Sequence, residues 1–386
     1  MADCSSALKL ERILGNTPND CTRDNKFYLP CLDGLRACAF LLVFAAHAGL
    51  DKVVPGGFGV TVFFFLSGYL ITSLLRLEQV KTGTISLRDF YLRRSLRILP
   101  PMYLTLAIGY ILGHVGVLAH PGNMGGLASA LLYYNNYIGL LHPGVATLPT
   151  GLGLVWSLMI EEHFYLLFPL LYLGFARLQL SRLTQGAVLG GLCTAALIWR
   201  CYLVFVKHLP ITNFGWTYVA SDCRFDSILW GCMLAIVTNP WFGDGGRWLQ
   251  KLKGPLAGSG LALIVLTLLW RDPYWRETFR YTIQSVALYP IFYYCVASAD
   301  NLSVRWLSST PMRWLGWTSY SMYLVHMMVL SVLAMVGLHS VARGLFAFAI
   351  SMAYATAMRL LVETPIRRLG GTKTASTFDR VVSVPA

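Results

Sequence analysis

Residues 32–49 read LDGLRACAFLLVFAAHAG, and this stretch decides what kind of protein the chain can be. With its flanks it is apolar over the ~20 residues that a helix needs to cross about 30 Å of hydrocarbon. Within that run stand an aspartate, an arginine and a histidine. Ionisable groups inside a bilayer are costly, and each is a functional candidate by default. Arg36 and His47 are eleven residues apart. That is about 1100° of helical rotation, so they share one face, about 16 Å apart along the axis. Asp33, three residues before Arg36, joins that face. A spanning helix is predicted at 30–50, with a guanidinium near its cytoplasmic boundary and an imidazole near mid-membrane.

The rest of the chain has the same character. It has 386 residues, 56 % hydrophobic and only 13 % charged, with a mean hydropathy of +0.57. Soluble domains carry about 25 % charged residues, so this composition excludes a water-soluble enzyme. It also excludes a disordered chain, whose signature is low hydrophobicity. Apolar runs predict spans at 30–50, 58–76, 99–118, 154–176, 186–206, 224–240, 256–271, 281–299, 315–338 and 343–362. A shorter stretch at 127–141, LASALLYYNNYIGLL, is interrupted by Tyr133, Tyr134, Asn135 and Asn136.

The formal charge of +13 fits a membrane protein, because cytoplasmic loops collect Lys and Arg. Ten spans with a cytoplasmic N-terminus leave 21 basic residues inside and six outside. An eleventh span at 127–141 would reverse every later loop and weaken that bias. The expectation is therefore an all-α integral membrane protein of about ten transmembrane helices, with both termini cytoplasmic. Residues 1–27 form a short cytoplasmic segment, 28–368 the membrane domain and 369–386 a polar cytoplasmic tail. The first 26 residues lack the apolar core of a secretory signal, so the first helix is expected to be an uncleaved anchor. Nine scattered cysteines without paired spacing read as buried thiols, and no metal site is evident. No nucleic-acid-binding motif occurs.

Four further segments could carry chemistry. In DFYLRRSLRILPPMY (89–103), Arg94 and Arg97, with Arg93, would gather on one side of a helix. Guanidinium forks suit phosphate groups, while plain topological anchoring would explain the same residues. In WSLMIEEHFYLLFPLL (156–171), Glu161 and Glu162 sit side by side in an apolar helix. Neighbours point about 100° apart, so the two should serve different spots, one meeting an Arg or His and the other facing a polar cavity. In SDCRFDSILWG (221–231), Arg224 and Asp226 would contact a hydroxylated acceptor at the non-cytoplasmic end of a helix, or compensate each other locally. In LGWTSYSMYLVHM (315–327), His326 lies deep in the ninth span near Tyr320 and Tyr323, as packing or as an acceptor contact. Glu363 to Pro365 should end the last helix.

These segments resemble the acyltransferase-3 family of membrane-bound O-acyltransferases, which includes O-antigen, Nod-factor and macrolide O-acetyltransferases. The resemblance rests on LDGLRACAFLLVFAAH, GVTVFFFLSGYLI, FYLRRSLRILPPMY, WSLMIEEHFYLLFPLL, RFDSILWG and SYSMYLVH, in the family's order across about residues 28–366. It implies transfer of an acyl group, usually acetyl, from cytoplasmic acyl-CoA to a hydroxyl of a carbohydrate or glycosylated acceptor. It implies that His47 is the catalytic base with Arg36 as its partner, and that Arg94 and Arg97 contact coenzyme A phosphates. It also implies a bacterial cytoplasmic (inner) membrane setting. Two departures stand out: Thr61 where many members have Asp, and His163 where many have Gln. Members with a fused hydrolase-like domain act on extracytoplasmic acceptors; the chain here ends after its last helix, so such a partner is expected to be separate. Two rival classes are a transporter of a polar metabolite or lipid-linked sugar, and a structural subunit of a polysaccharide assembly complex. The first would show paired halves and broken midplane helices, which the sequence lacks. The second leaves Arg36 and His47 without a purpose.

Overall fold

A computed structural model describes residues 27–142, 144–211 and 215–366. Each of the ten expected spans coincides with a helix: α1 Pro30–Ala45, α2 Gly56–Thr82, α3 Leu87–His114, α4 Trp156–Arg177, α5 Arg182–Cys201, α6 Ser221–Val237, α7 Gly246–Leu269, α8 Phe279–Ala297, α9 Thr310–Met335 and α10 Ser340–Met358. With their flanking turns, eight of these are long and apolar enough to cross a membrane among the described residues. The other two are α6 and α8, with 17 and 19 residues. Helix α6 carries Arg224 and Asp226 and is buried along most of its length. The terminal segments before residue 27 and after residue 366, with their basic residues, lie outside the described residues.

The 127–141 stretch forms two short helices, Met124–Leu131 and Asn135–Leu141, of 8 and 7 residues. Between them Tyr133 takes φ +61°, a left-handed conformation that stops helix propagation. Neither piece is long enough to span.

Local chemistry moves several boundaries. Helix α3 begins at Leu87, not 99, because the Ser86 side chain accepts from the Asp89 N–H and caps it. The arginine-bearing stretch ahead of the expected span is therefore part of the same helix, which continues through Pro100 and Pro101. Helix α2 runs on to Thr82 and stops where Gly83 adopts φ +73°. The last helix runs through a π turn at Arg359–Glu363 and past Pro365 to Ile366, the last of the described residues. A proline forfeits one N–H, and the wider turn before it already breaks the regular bonding ladder.

Successive long helices alternate in direction. Contacts fix two ends of the bundle, a proximal end where α1 begins and a distal end where it finishes. At the proximal end Asp244 bridges Arg76 of α2 and Arg182 of α5, both at 2.5 Å. Arg313 of α9 donates to the Tyr28 hydroxyl at 3.0 Å. Helix α2 lies at the centre against α1, α4, α6 and α8. It meets α6 with backbones nearly touching: a Cβ on Gly68 would lie 2.0 Å from the Ile228 carbonyl oxygen, and one on Gly231 2.0 Å from that of Phe65. Small residues permit this approach, the favoured route to helix association in lipid. Gly316 does the same for α9, since a Cβ there would lie 2.1 Å from the Asp33 carbonyl oxygen of α1.

Candidate active site

A cavity of about 910 Å³, counting its open mouth, lies between α1, α2, α3, α4 and α9. Arg36, Arg94, Arg97, Glu161 and Glu162 all line it. Five of the residues singled out from sequence thus meet in one place, although they come from three helices.

The arginines are held differently. Arg36 Nη1 lies 3.0 Å from Asp33 Oδ1, the pairing expected from their spacing. Asp33 Oδ2 also accepts from the Trp317 indole at 2.9 Å, which fixes the pair against α9. The RRxxR run splits in two. Arg93 turns to Glu78 at 3.2 Å and joins α3 to α2. Arg94 and Arg97 face the cavity, with the Arg94 guanidinium 5.5 Å from the Tyr165 ring centroid. Neither forms an ion pair among the described residues.

The carboxylates depart from expectation. Both Glu161 and Glu162 line the one cavity, because it is wide enough to receive side chains 100° apart. Glu161 meets no Arg or His directly. It accepts instead from Ser67 at 2.9 Å and Tyr165 at 3.1 Å, two hydroxyls that sequence alone did not indicate. The neighbouring His163 Nδ1 lies 2.7 Å from Ser221 Oγ, a link between α4 and α6.

His47 is placed elsewhere. It lies in a π turn, Ala46–Leu50, at the distal end of α1 and not at mid-helix, and it is exposed. Single π turns inside helices recur at functional sites. Its Nδ1 is 2.9 Å from Nε2 of His326, and the two rings lie 16° from parallel. His326 Nδ1 lies 2.7 Å from the Tyr323 carbonyl oxygen, which can only accept. Neutral imidazoles satisfy both contacts in one way: His326 carries its proton on Nδ1 and accepts at Nε2 from the Nδ1–H of His47. This leaves Nε2 of His47 with a free lone pair. His326, which the sequence offered as packing or as an acceptor contact, is placed to orient His47.

His47 does not line the cavity, but one residue joins the two regions. The side chain of Tyr323 lines the cavity, with its hydroxyl 2.8 Å from Ser157 Oγ, while its carbonyl anchors His326.

Arg224 and Asp226 do not act as a pair. Asp226 is fully buried 2.7 Å from Arg200 and accepts from Thr282 at 2.6 Å, which makes it an internal ion pair and not an acceptor contact. Arg224 is also fully buried. It donates to Thr61 Oγ1 at 3.2 Å, and its guanidinium lies 4.0 Å from the Tyr281 ring centroid. Asp226 is thus taken by Arg200 and Thr282 while Arg224 reaches Thr61 of α2, although both guanidiniums converge on Tyr281 of α8, whose ring centroid lies 4.0 Å from Arg224 Cζ and 5.7 Å from Arg200 Cζ. No cluster of His, Cys, Asp and Glu among the described residues could hold a metal.

The chain is similar to the peptidoglycan O-acetyltransferase OatA of Listeria monocytogenes, 31 % identical over 90 % of this chain and 57 % of that protein. It is 31 % identical to the putative peptidoglycan O-acetyltransferase YrhL of Bacillus subtilis, over 78 % of this chain and 48 % of YrhL. The O-acetyltransferase OatA of Staphylococcus aureus is 28 % identical over 78 % of this chain and 50 % of its own length. The chain thus spans about half the length of the curated relatives it matches. No solved structure matches. A family model described as an acyltransferase domain matches residues 29–360, from the start of α1 into the last helix. The cavity residues and both histidines fall within that match, and the chain belongs to the acyltransferase-3 family of membrane acyltransferases.

Proposed function

We propose that this protein moves an acetyl group from cytoplasmic acetyl-CoA to a hydroxyl of a cell-wall glycan, peptidoglycan foremost, across a bacterial cytoplasmic membrane. The proximal end is then cytoplasmic and the distal end faces outward. The observation that carries this reading is a guanidinium-lined cavity that reaches Tyr323, whose backbone holds the His326–His47 pair. Arg94 and Arg97 take the donor's phosphates, as bidentate forks do. The thioester lies toward Tyr323. Nε2 of His47 removes the proton from the acceptor hydroxyl as its oxygen attacks the thioester carbonyl. The carbon–sulfur bond breaks, and the leaving thiolate takes the proton from His47. His326 accepts the Nδ1–H of His47 throughout, holding the imidazole in its basic tautomer. Glu161, through Tyr165, keeps Arg94 in place, and Glu162 offsets the arginine charge. The named acceptor class follows the relatives, and a separate extracytoplasmic protein would hand on the acyl group where the glycan lies beyond reach.

The test is mass spectrometry of cell-wall glycans from a deletion strain carrying either the wild-type chain or His47→Ala. An acetyl-sized mass difference confined to the wild type is expected. Equal acetylation by the variant, present in the membrane at normal level, would remove His47 from the reaction.

A further inference from the structure

Helix α9 runs past the cavity toward the histidine pair. Arg313, Trp317 and Tyr320 lie within about 60° of one another around the axis, while Tyr323 and His326, each three residues further on, wind away by about 60° per step. The distance from Arg313 to His326 is about 20 Å along the axis. The Trp317 ring holds two guanidiniums. Arg313 Cζ lies 5.1 Å from its centroid and Arg359 Cζ, from the turn after α10, lies 4.8 Å away. Trp317 itself is fixed by its hydrogen bond to Asp33, and it lines the cavity. Glu363, Arg97 and Asp33 lie within electrostatic reach of Arg359. Among the described residues, Arg36 is the only ion-paired member of the set Arg36, Arg94, Arg97, Arg313 and Arg359. Glu363, four residues beyond Arg359, accepts from Ser321 at 2.9 Å. Such a concentration of cations calls for a ligand with several negative charges.

The geometry points to a phosphomonoester subsite formed by Arg313 and Arg359 across Trp317, which takes the 3′-phosphate on the nucleotide end of coenzyme A. This rests on the donor reading above. The diphosphate then lies deeper, at Arg94 and Arg97, and the extended arm follows α9 past Tyr320 toward Tyr323. Helix α9 serves as a ruler: the nucleotide anchored at its first turns sets how far the thioester penetrates. An anionic lipid headgroup offers the same phosphate chemistry, and the test separates the two.

The experiment measures binding of coenzyme A and of 3′-dephospho-coenzyme A to the full-length protein in phosphatidylcholine nanodiscs, with wild type, Arg313→Gln, Arg359→Gln and Arg359→Lys. Wild type is expected to prefer coenzyme A by about tenfold, the scale of a charge-assisted phosphate contact. Either Gln variant removes that preference while leaving the dephospho ligand's affinity unchanged, and Arg359→Lys restores part of it. Equal affinity of wild type for both ligands overturns the subsite but not the donor reading. Absence of binding to either overturns the donor reading itself. A Gln variant that weakens both ligands alike shows a structural role and overturns the assignment. The preference should persist in nanodiscs containing phosphatidylglycerol; its loss there assigns the arginines to lipid headgroups.

Discussion

His47 Nδ1 stands 2.9 Å from His326 Nε2, although the two residues are 279 positions apart in the chain. This contact, with the Tyr323 carbonyl behind it, leaves His47 one orientation and one free lone pair. His326→Ala should lower kcat for acetyl transfer by about 100-fold, the lower range for a general base put out of position. Donor KM should stay within about twofold. His326→Gln, whose amide oxygen can accept the His47 Nδ1–H, should retain most of the rate. Steady-state transfer in isolated membranes measures this, and equal losses in the two variants would reduce His326 to packing.

The split of the arginine run gives opposite outcomes for neighbours. Arg94→Ala with Arg97→Ala should raise the acyl-CoA concentration for half-maximal rate at least about tenfold, since two charge-assisted phosphate contacts are lost. The protein should insert normally. Arg93→Ala should leave that concentration unchanged and lower the yield of folded protein, because Arg93 joins α3 to Glu78 of α2. A KM effect from Arg93 alone would reverse these roles.

Arg200 and Asp226 form an ion pair with no solvent exposure on either side chain. Asp226→Ala strands a buried guanidinium and should cost about 3–5 kcal/mol of stability. Replacing both, as Arg200→Met with Asp226→Leu, should cost less than the single change, because no charge is left uncompensated. Unfolding titrations in mixed micelles compare the two. A double variant less stable than Asp226→Ala would show that the pair contributes more than mutual neutralisation.

The crossing of α2 and α6 should tolerate no side chain at Gly68 or Gly231, where a Cβ would lie 2.0 Å from a carbonyl oxygen of the facing helix. Either change to Ala should abolish monodisperse protein in size-exclusion chromatography. Gly191→Ala in α5, where a Cβ meets nothing within 4 Å, should be neutral or raise stability by up to about 1 kcal/mol through helix propensity. Normal behaviour of Gly68→Ala would mean that the two helices can separate without loss of the fold.

The sequence by itself determined the membrane class, the ten helical segments and the Asp33–Arg36 pair. Apolar length and helical spacing are local properties, and a bilayer leaves a chain segment few conformations besides the helix. It also singled out Arg94, Arg97 and the two glutamates, because charge inside an apolar run is conspicuous. Tertiary structure alone decided which of these groups meet. Spacing on one helix says which side chains share a face, but not which helix that face will touch. So Glu161 and Glu162 came together on one cavity, and Asp226 paired with Arg200 of α5 instead of with Arg224. His326, unremarkable within its own segment, arrived beside His47 because Gly316 lets α9 lie against the backbone of α1.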